Sequence, residues 1–137
     1  GSITPASGFI GPMGAIVIGL SAGIVCFAFT NYMKRVLHID DSLDVFPVHG
    51  IGGIIGTILV AVFVSSQFGG AGLAEGMTIS SQLGVQVTAV VSVGVWTAIA
   101  SFIILKLTNA ICGNRVTDDD ERIGLDITQH EEKGYNL

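Results

Sequence analysis

The charges of this chain are segregated, and this limits what it can fold into more than any other feature. None falls between Gly1 and Met33; Lys34, Arg35, Asp40, Asp41 and Asp44 then cluster together, and only Glu75 precedes Lys106. A spanning helix needs about 20 apolar residues to cross about 30 Å of hydrocarbon. Windows 12–33, 43–64 and 80–107 satisfy this requirement. Half of the 137 residues are hydrophobic, 12% are charged, and the mean hydropathy is +0.70. That balance points away from a soluble domain. The pattern predicts an all-α membrane protein with three transmembrane helices, surrounded by lipid.

The net charge of −5 is concentrated in the last twenty residues. No basic face is present, which excludes nucleic acid as a partner. Cys26 and Cys112 have neither metal-site nor redox-pair spacing and read as packing residues. No cluster of His, Cys and acid has ligand spacing, so no metal, no cofactor and no enzyme activity is expected. The chain starts in apolar sequence without a basic leader, a cleavage signal or an initiator methionine. It is therefore read as the C-terminal part of something longer.

Residues 1–11, GSITPASGFIG, form a turn into the first span. The membrane region covers 12–110, with helices over about 12–37, 42–66 and 80–110, and 111–137 is a polar tail. Pro12 suits a first helical turn, and Gly19 and Gly23 share a face that allows close helix contact. Asp41 is the expected N-cap of the second helix, with Asp44 in the place of a capping-box acid. Pro47 removes a donor early in that helix and predicts a local distortion. The third helix, at 1.5 Å per residue, is roughly 46 Å long, so it must tilt or project into water. Lysine and arginine flank the first helix at its end and follow the third, whereas loop 65–79 has neither. The positive-inside rule then places residues 34–42 and the tail in the cytoplasm, and that loop outside.

Between Val45 and Ala74 the one ionisable group is His49. A titratable side chain at membrane depth is costly and marks a candidate site. On a regular helix its neighbours are Gly52, Gly53 and Gly56 in one direction and Val45 and Phe46 in the other. Bare backbone on that face leaves room for a neighbouring helix or for a narrow lumen. Apolar surroundings disfavour the imidazolium, so a neutral ring with one donor and one acceptor nitrogen is expected. Spacing alone leaves two roles open, a hydrogen bond between helices and a transport site. His38 and His130 lie in polar segments and read as solvated. Trp96, Gln82 and Gln86 read as packing and interface groups.

The segment DDSLDVFPVHGIGGIIG, residues 40–56, resembles the signature of the ammonium transporter (Amt/Mep) family. ITPASGF before the first helix, GGAGLAEG in the outer loop and GLDITQHEEKGYN in the tail resemble family segments in the same order. Rhesus glycoproteins fit less well. The resemblance implies the last three of eleven transmembrane helices in an inverted-repeat fold, with sites near the midplane. It also implies a homotrimer in the full-length protein, in a cell (plasma or inner) membrane.

By the same resemblance, His49 is the second of two pore histidines that hydrogen-bond to each other. Val45 is a wall position of that lumen, and Thr4 lies near its cytoplasmic half. Asp44 is the acid that begins the DVF motif. The implied mechanism is deprotonation of ammonium outside, passage of neutral ammonia along the apolar pore, and a relay of the proton by the imidazoles. The tail residues Gly124, Leu125, Asp126, Thr128, His130 and Tyr135 match a segment that couples subunits. In relatives that segment accompanies docking of a PII-type signal protein, and Thr128 matches a position phosphorylated in some plant members. Ile123 and Glu131 depart from the family's usual Glu and Gly. The leading expectation is ammonium/ammonia transport, with a chain this short unable to transport alone. The alternative is an ammonium sensor whose tail signals to a cytosolic partner.

Overall fold

The computed structural model describes residues 1–132; Tyr135 lies outside the described residues. Pro12 opens helix α1, Pro12–Tyr32, after an extended Gly11. Its missing N–H falls where a helix leaves donors unpaired anyway. The last turn of this span widens into a π-helical turn, Met33–Leu37, and His38 ends it in the left-handed conformation. The second span starts with another π-helical turn, Phe46–Ile51, and continues as helix α2, Gly52–Phe63. Helix α3 then runs unbroken over Ile79–Ile111. Three stretches are thus long and apolar enough to cross a membrane: Pro12–Leu37, Phe46–Phe63 and Ile79–Ile111.

Compared with the sequence expectation, the second helical span is shorter at both ends. It begins at Phe46 rather than near residue 42, because Asp44 adopts a left-handed φ of 54° that no helix can include. It stops at Phe63 rather than near residue 66, because Ser65 turns extended and caps a short 3-10 turn over Ser66–Phe68 instead. The distortion expected from Pro47 takes the form of the widened turn, with Pro47 itself buried.

The chain divides into two units, 1–94 and 95–137. In the first, α1 and α2 pack antiparallel. Gly14, early in α1, lies so close to Phe63 that a Cβ would stand 3.0 Å from that side chain, and Cys26, late in α1, meets Gly52 at the start of α2. The contact stripe on α1 is Gly14, Ile18 and Ala22, spaced by four residues. Gly19 and Gly23, expected to provide the contact, have nothing within 4 Å of their Cβ positions and border a cavity instead. Ile18, Val60 and Ala6 form the buried core of this unit, with Ile10, Leu59, Phe63 and Val64 packed around it. Phe63 also meets the Phe68 ring edge-on, with centroids 5.6 Å apart.

Loop 64–78 folds back over the N-terminal turn. The Ala71 N–H donates to the Phe9 carbonyl at 2.9 Å, and the Gly72 N–H donates to that of Val64 at 2.7 Å. Gly72, with φ 99°, occupies a region that L side chains seldom adopt. Thr78 and Ser81 then cap α3 reciprocally: each hydroxyl accepts the other residue's backbone N–H, at 3.2 and 2.9 Å. Gln82 and Gln86, at the start of α3, border a cavity of about 480 Å³ with Val60 and Val64.

In the second unit the end of α3 is followed by two short helices, α4 over Asp118–Ile123 and α5 over Leu125–His130. The Asn114 amide returns to the Leu105 carbonyl at 3.1 Å. Arg115 pairs with Glu121 at 2.9 Å. Thr117 caps α4 by accepting the Asp120 N–H at 3.2 Å.

Candidate functional site

The site is built at the hairpin between the first two spans. Asp41 is acceptor for the backbone N–H groups of Val45 and Phe46, each at 2.9 Å. Those are donors that a helix start leaves unpaired. The N–H groups of Phe46 and Val45, with the Lys34 ammonium adding a smaller attraction, hold the Asp41 carboxyl below the ordinary aspartate range against a small opposing effect of desolvation. Asp41 therefore acts as a cap, although the helix it caps starts five residues later.

Asp44 departs from the capping-box role expected of it. Its backbone is left-handed, which costs a non-glycine residue roughly 1–2 kcal/mol. Its carboxylate points to Lys34, with Nζ–Oδ1 at 2.7 Å, and the buried Oδ1 takes no well-aligned hydrogen bond. The Asp44 carbonyl accepts the Val48 N–H at 3.0 Å, so the backbone of Asp44 sets the first turn of the second span.

Val45 and His49 line one apolar groove of about 610 Å³, together with Phe29, Met33 and Phe46. Phe29 and Phe46 meet ring to ring, with centroids 6.1 Å apart, at the side where the two spans converge. His49 is exposed in this chain. Its imidazole makes no hydrogen bond to another described residue, so within those residues it is not interhelical glue.

The glycines expected beside His49 separate. A widened turn has more than 3.6 residues, so spacings of three, four and seven no longer mark one face across it. Gly52 faces Cys26, whose Sγ would lie 3.3 Å from an added Cβ, and a Cβ on Gly56 would overlap the Ser2 carbonyl. Gly53 has nothing within 4 Å. Gly52 and Gly56 thus admit the N-terminal segment and α1, while Gly50 stays with His49 in the groove.

Thr4 sits in a 3-10 turn, Thr4–Ala6, packed on α2, and does not line the groove of His49 and Val45. In the tail, Gly124 has a φ of 111° between α4 and α5, and the Thr128 hydroxyl donates to its carbonyl at 3.1 Å. Leu125, Asp126 and His130 are exposed on α5. Sequence reasoning did not find the Lys34–Asp44 pair. Its signal was available: opposite charges at either end of a short loop joining two spans.

Helices without strands among the described residues, three of them fit to cross a bilayer, define an all-α membrane protein. The model of the Ammonium Transporter Family matches residues 1–135, and the chain belongs to that family. It is 42% identical over 136 residues to ammonium transporter Amt1 of Archaeoglobus fulgidus, covering 98% of this chain and 34% of that protein. It is 38% identical to an ammonium transporter of Bacillus subtilis, covering 98% of this chain and 33% of the relative. For an ammonium transporter of Aquifex aeolicus the identity is 37%, with 99% and 32% covered. The chain spans about a third of the length of the curated relatives it matches.

Proposed function

We propose that this chain forms one wall of an ammonia path in an ammonium-transporting membrane protein, with His49 as the hydrogen-bonding group of that wall. One observation carries the reading: His49 and Val45 line a common apolar groove in a chain of this family. An ammonium ion stripped of water in such surroundings would face a penalty of order tens of kcal/mol, which neutral ammonia avoids. A neutral imidazole offers ammonia both a donor and an acceptor, and Val45 keeps the adjoining wall dry. Thr4 would serve further along the path, on its cytoplasmic side.

In this reading the chain supplies the last three helices of a longer transporter, and helices outside it bring the first pore histidine. The chain alone would not transport. The complete protein would be a trimer in the cell membrane, with residues 34–42 and the tail cytoplasmic. Residues Gly124 to His130, with Tyr135 beyond them, would be where subunits couple and a PII-type protein docks.

The test is methylammonium uptake by the complete transporter in liposomes, native against His49→Ala. We expect uptake to fall by about tenfold or more, the loss of at least one good hydrogen bond to the passing molecule. Unchanged uptake would sink the pore-lining assignment. No uptake by either form, with a cytosolic partner still bound by the tail, would favour the sensor. An ammonium-dependent current in the same liposomes distinguishes proton relay from neutral passage.

A further inference from the structure

We propose that Lys34 is a positioning residue for the His49 turn: held on Asp44, its ammonium fixes the left-handed backbone from which that turn starts. The inference rests on the reading of His49 as a group of the transport path. The groove is made by two widened turns facing across the hairpin. Met33 and Leu37 come from the first, and Phe46, His49 and Gly50 come from the second. Lys34 belongs to the first turn and Asp44 stands two residues before the second, so their contact at 2.7 Å ties one turn to the other.

Neither member of the pair lines the groove. Asp44 borders a different cavity, with Val48, Cys26 and Thr30. The pair therefore acts through the backbone and does not touch what passes His49. Its side chains are 45% and 31% exposed, and a pair so placed contributes little stability by itself. Its value is geometric. Asp41 holds the N–H groups of Val45 and Phe46, Pro47 has none to give, and the Val48 N–H returns to the Asp44 carbonyl. The direction in which His49 leaves the hairpin thus depends on the conformation of residue 44. Were a left-handed backbone the sole requirement, glycine would meet it without strain. An acid there, with its inner oxygen turned to a lysine ten positions earlier in the chain, indicates that the ion pair sets the conformation.

The test compares Lys34→Met, Lys34→Arg, Asp44→Asn and Asp44→Gly in the complete transporter, scored by saturation kinetics of methylammonium uptake. Equal amounts of assembled protein by size exclusion serve as the folding control. We expect Lys34→Met and Asp44→Gly to lower the maximal rate about tenfold, with the half-saturating concentration within about twofold of native. Asp44→Asn should fall with them, because it keeps the backbone preference and loses the charge. Lys34→Arg should restore most of the rate. An electron cryomicroscopy structure of Lys34→Met should show residue 44 out of the left-handed region and the imidazole turned from the groove. A native maximal rate in Lys34→Met, or an unmoved backbone at residues 44–51 in its structure, would overturn the inference. If His49→Ala transports normally, or the native protein does not transport, the transport reading fails on its own, and the structural comparison still decides whether Lys34 sets the turn.

Discussion

The carboxylate of Asp41 accepts the N–H groups of Val45 and Phe46 at once, both at 2.9 Å. Both bonds favour the ionised form, which is why its pKa is depressed below the ordinary aspartate value of about 3.9. For a carboxyl whose folded pKa is lowered, the stabilisation is complete above the unfolded pKa and is lost as pH falls through the folded one. Thermal unfolding of native and Asp41→Asn protein should differ by a constant margin from neutral pH down to the ordinary aspartate range. That margin should close below it. A margin independent of pH would show that the charge is not what the two donors hold.

Gly56 and Gly53 lie three residues apart and should respond oppositely to alanine. At Gly56 the new methyl overlaps the Ser2 carbonyl, an overpacking that costs about 1–3 kcal/mol. At Gly53 it meets nothing within 4 Å, and helix propensity improves by up to about 1 kcal/mol. Thermal denaturation in detergent reads both signs.

Phe63→Ala should be among the most disruptive changes on α2. The ring fills the space that Gly14 leaves and packs edge-on to Phe68. Because Phe63 is partly and not fully buried, the expected loss is about 2–3 kcal/mol, at or below the low end for phenylalanine truncation. Gly14→Ala should interact with it in a double-mutant cycle, since the two share one contact.

Thr117→Ala removes the cap of α4. Its hydroxyl accepts the Asp120 N–H and donates to the Asp120 carboxylate at 2.7 Å. A loss of about 1 kcal/mol is expected, seen as faster amide exchange at Asp120 and the residues after it. Thr117→Asp should keep the slow exchange, because aspartate caps equally well.

Much of the architecture was legible because membrane helices are written in composition. Uncharged runs gave the number of spans, and Pro12 placed the start of α1. The hairpin was harder. Its residues were read with a period of 3.6, which put His49, Gly52 and Gly56 on one face. Two widened turns broke that period, and the glycines became the seat of the Ser2 segment. Asp44 was misread because a capping box presumes a helical backbone, and its φ of 54° excludes one. The contact stripe of α1 was missed for a plainer reason. Glycine pairs mark room for contact, whereas the partner's bulk decides where contact occurs, and Phe63 selected Gly14.

Helix α3 has 33 residues and, at 1.5 Å each, extends about 50 Å. Even leaning at about 40°, the upper end of observed tilts, a bilayer core of about 30 Å encloses only about 39 Å of it. Seven or more residues must therefore stand clear of the hydrocarbon. The last seven begin one residue before Lys106, whose ammonium lies over the Phe102 ring at 5.5 Å. That pair sets a charge drawn toward water beside a fully apolar ring. The helix is thus longer than any such tilt can bury, and about two of its turns meet headgroups or water.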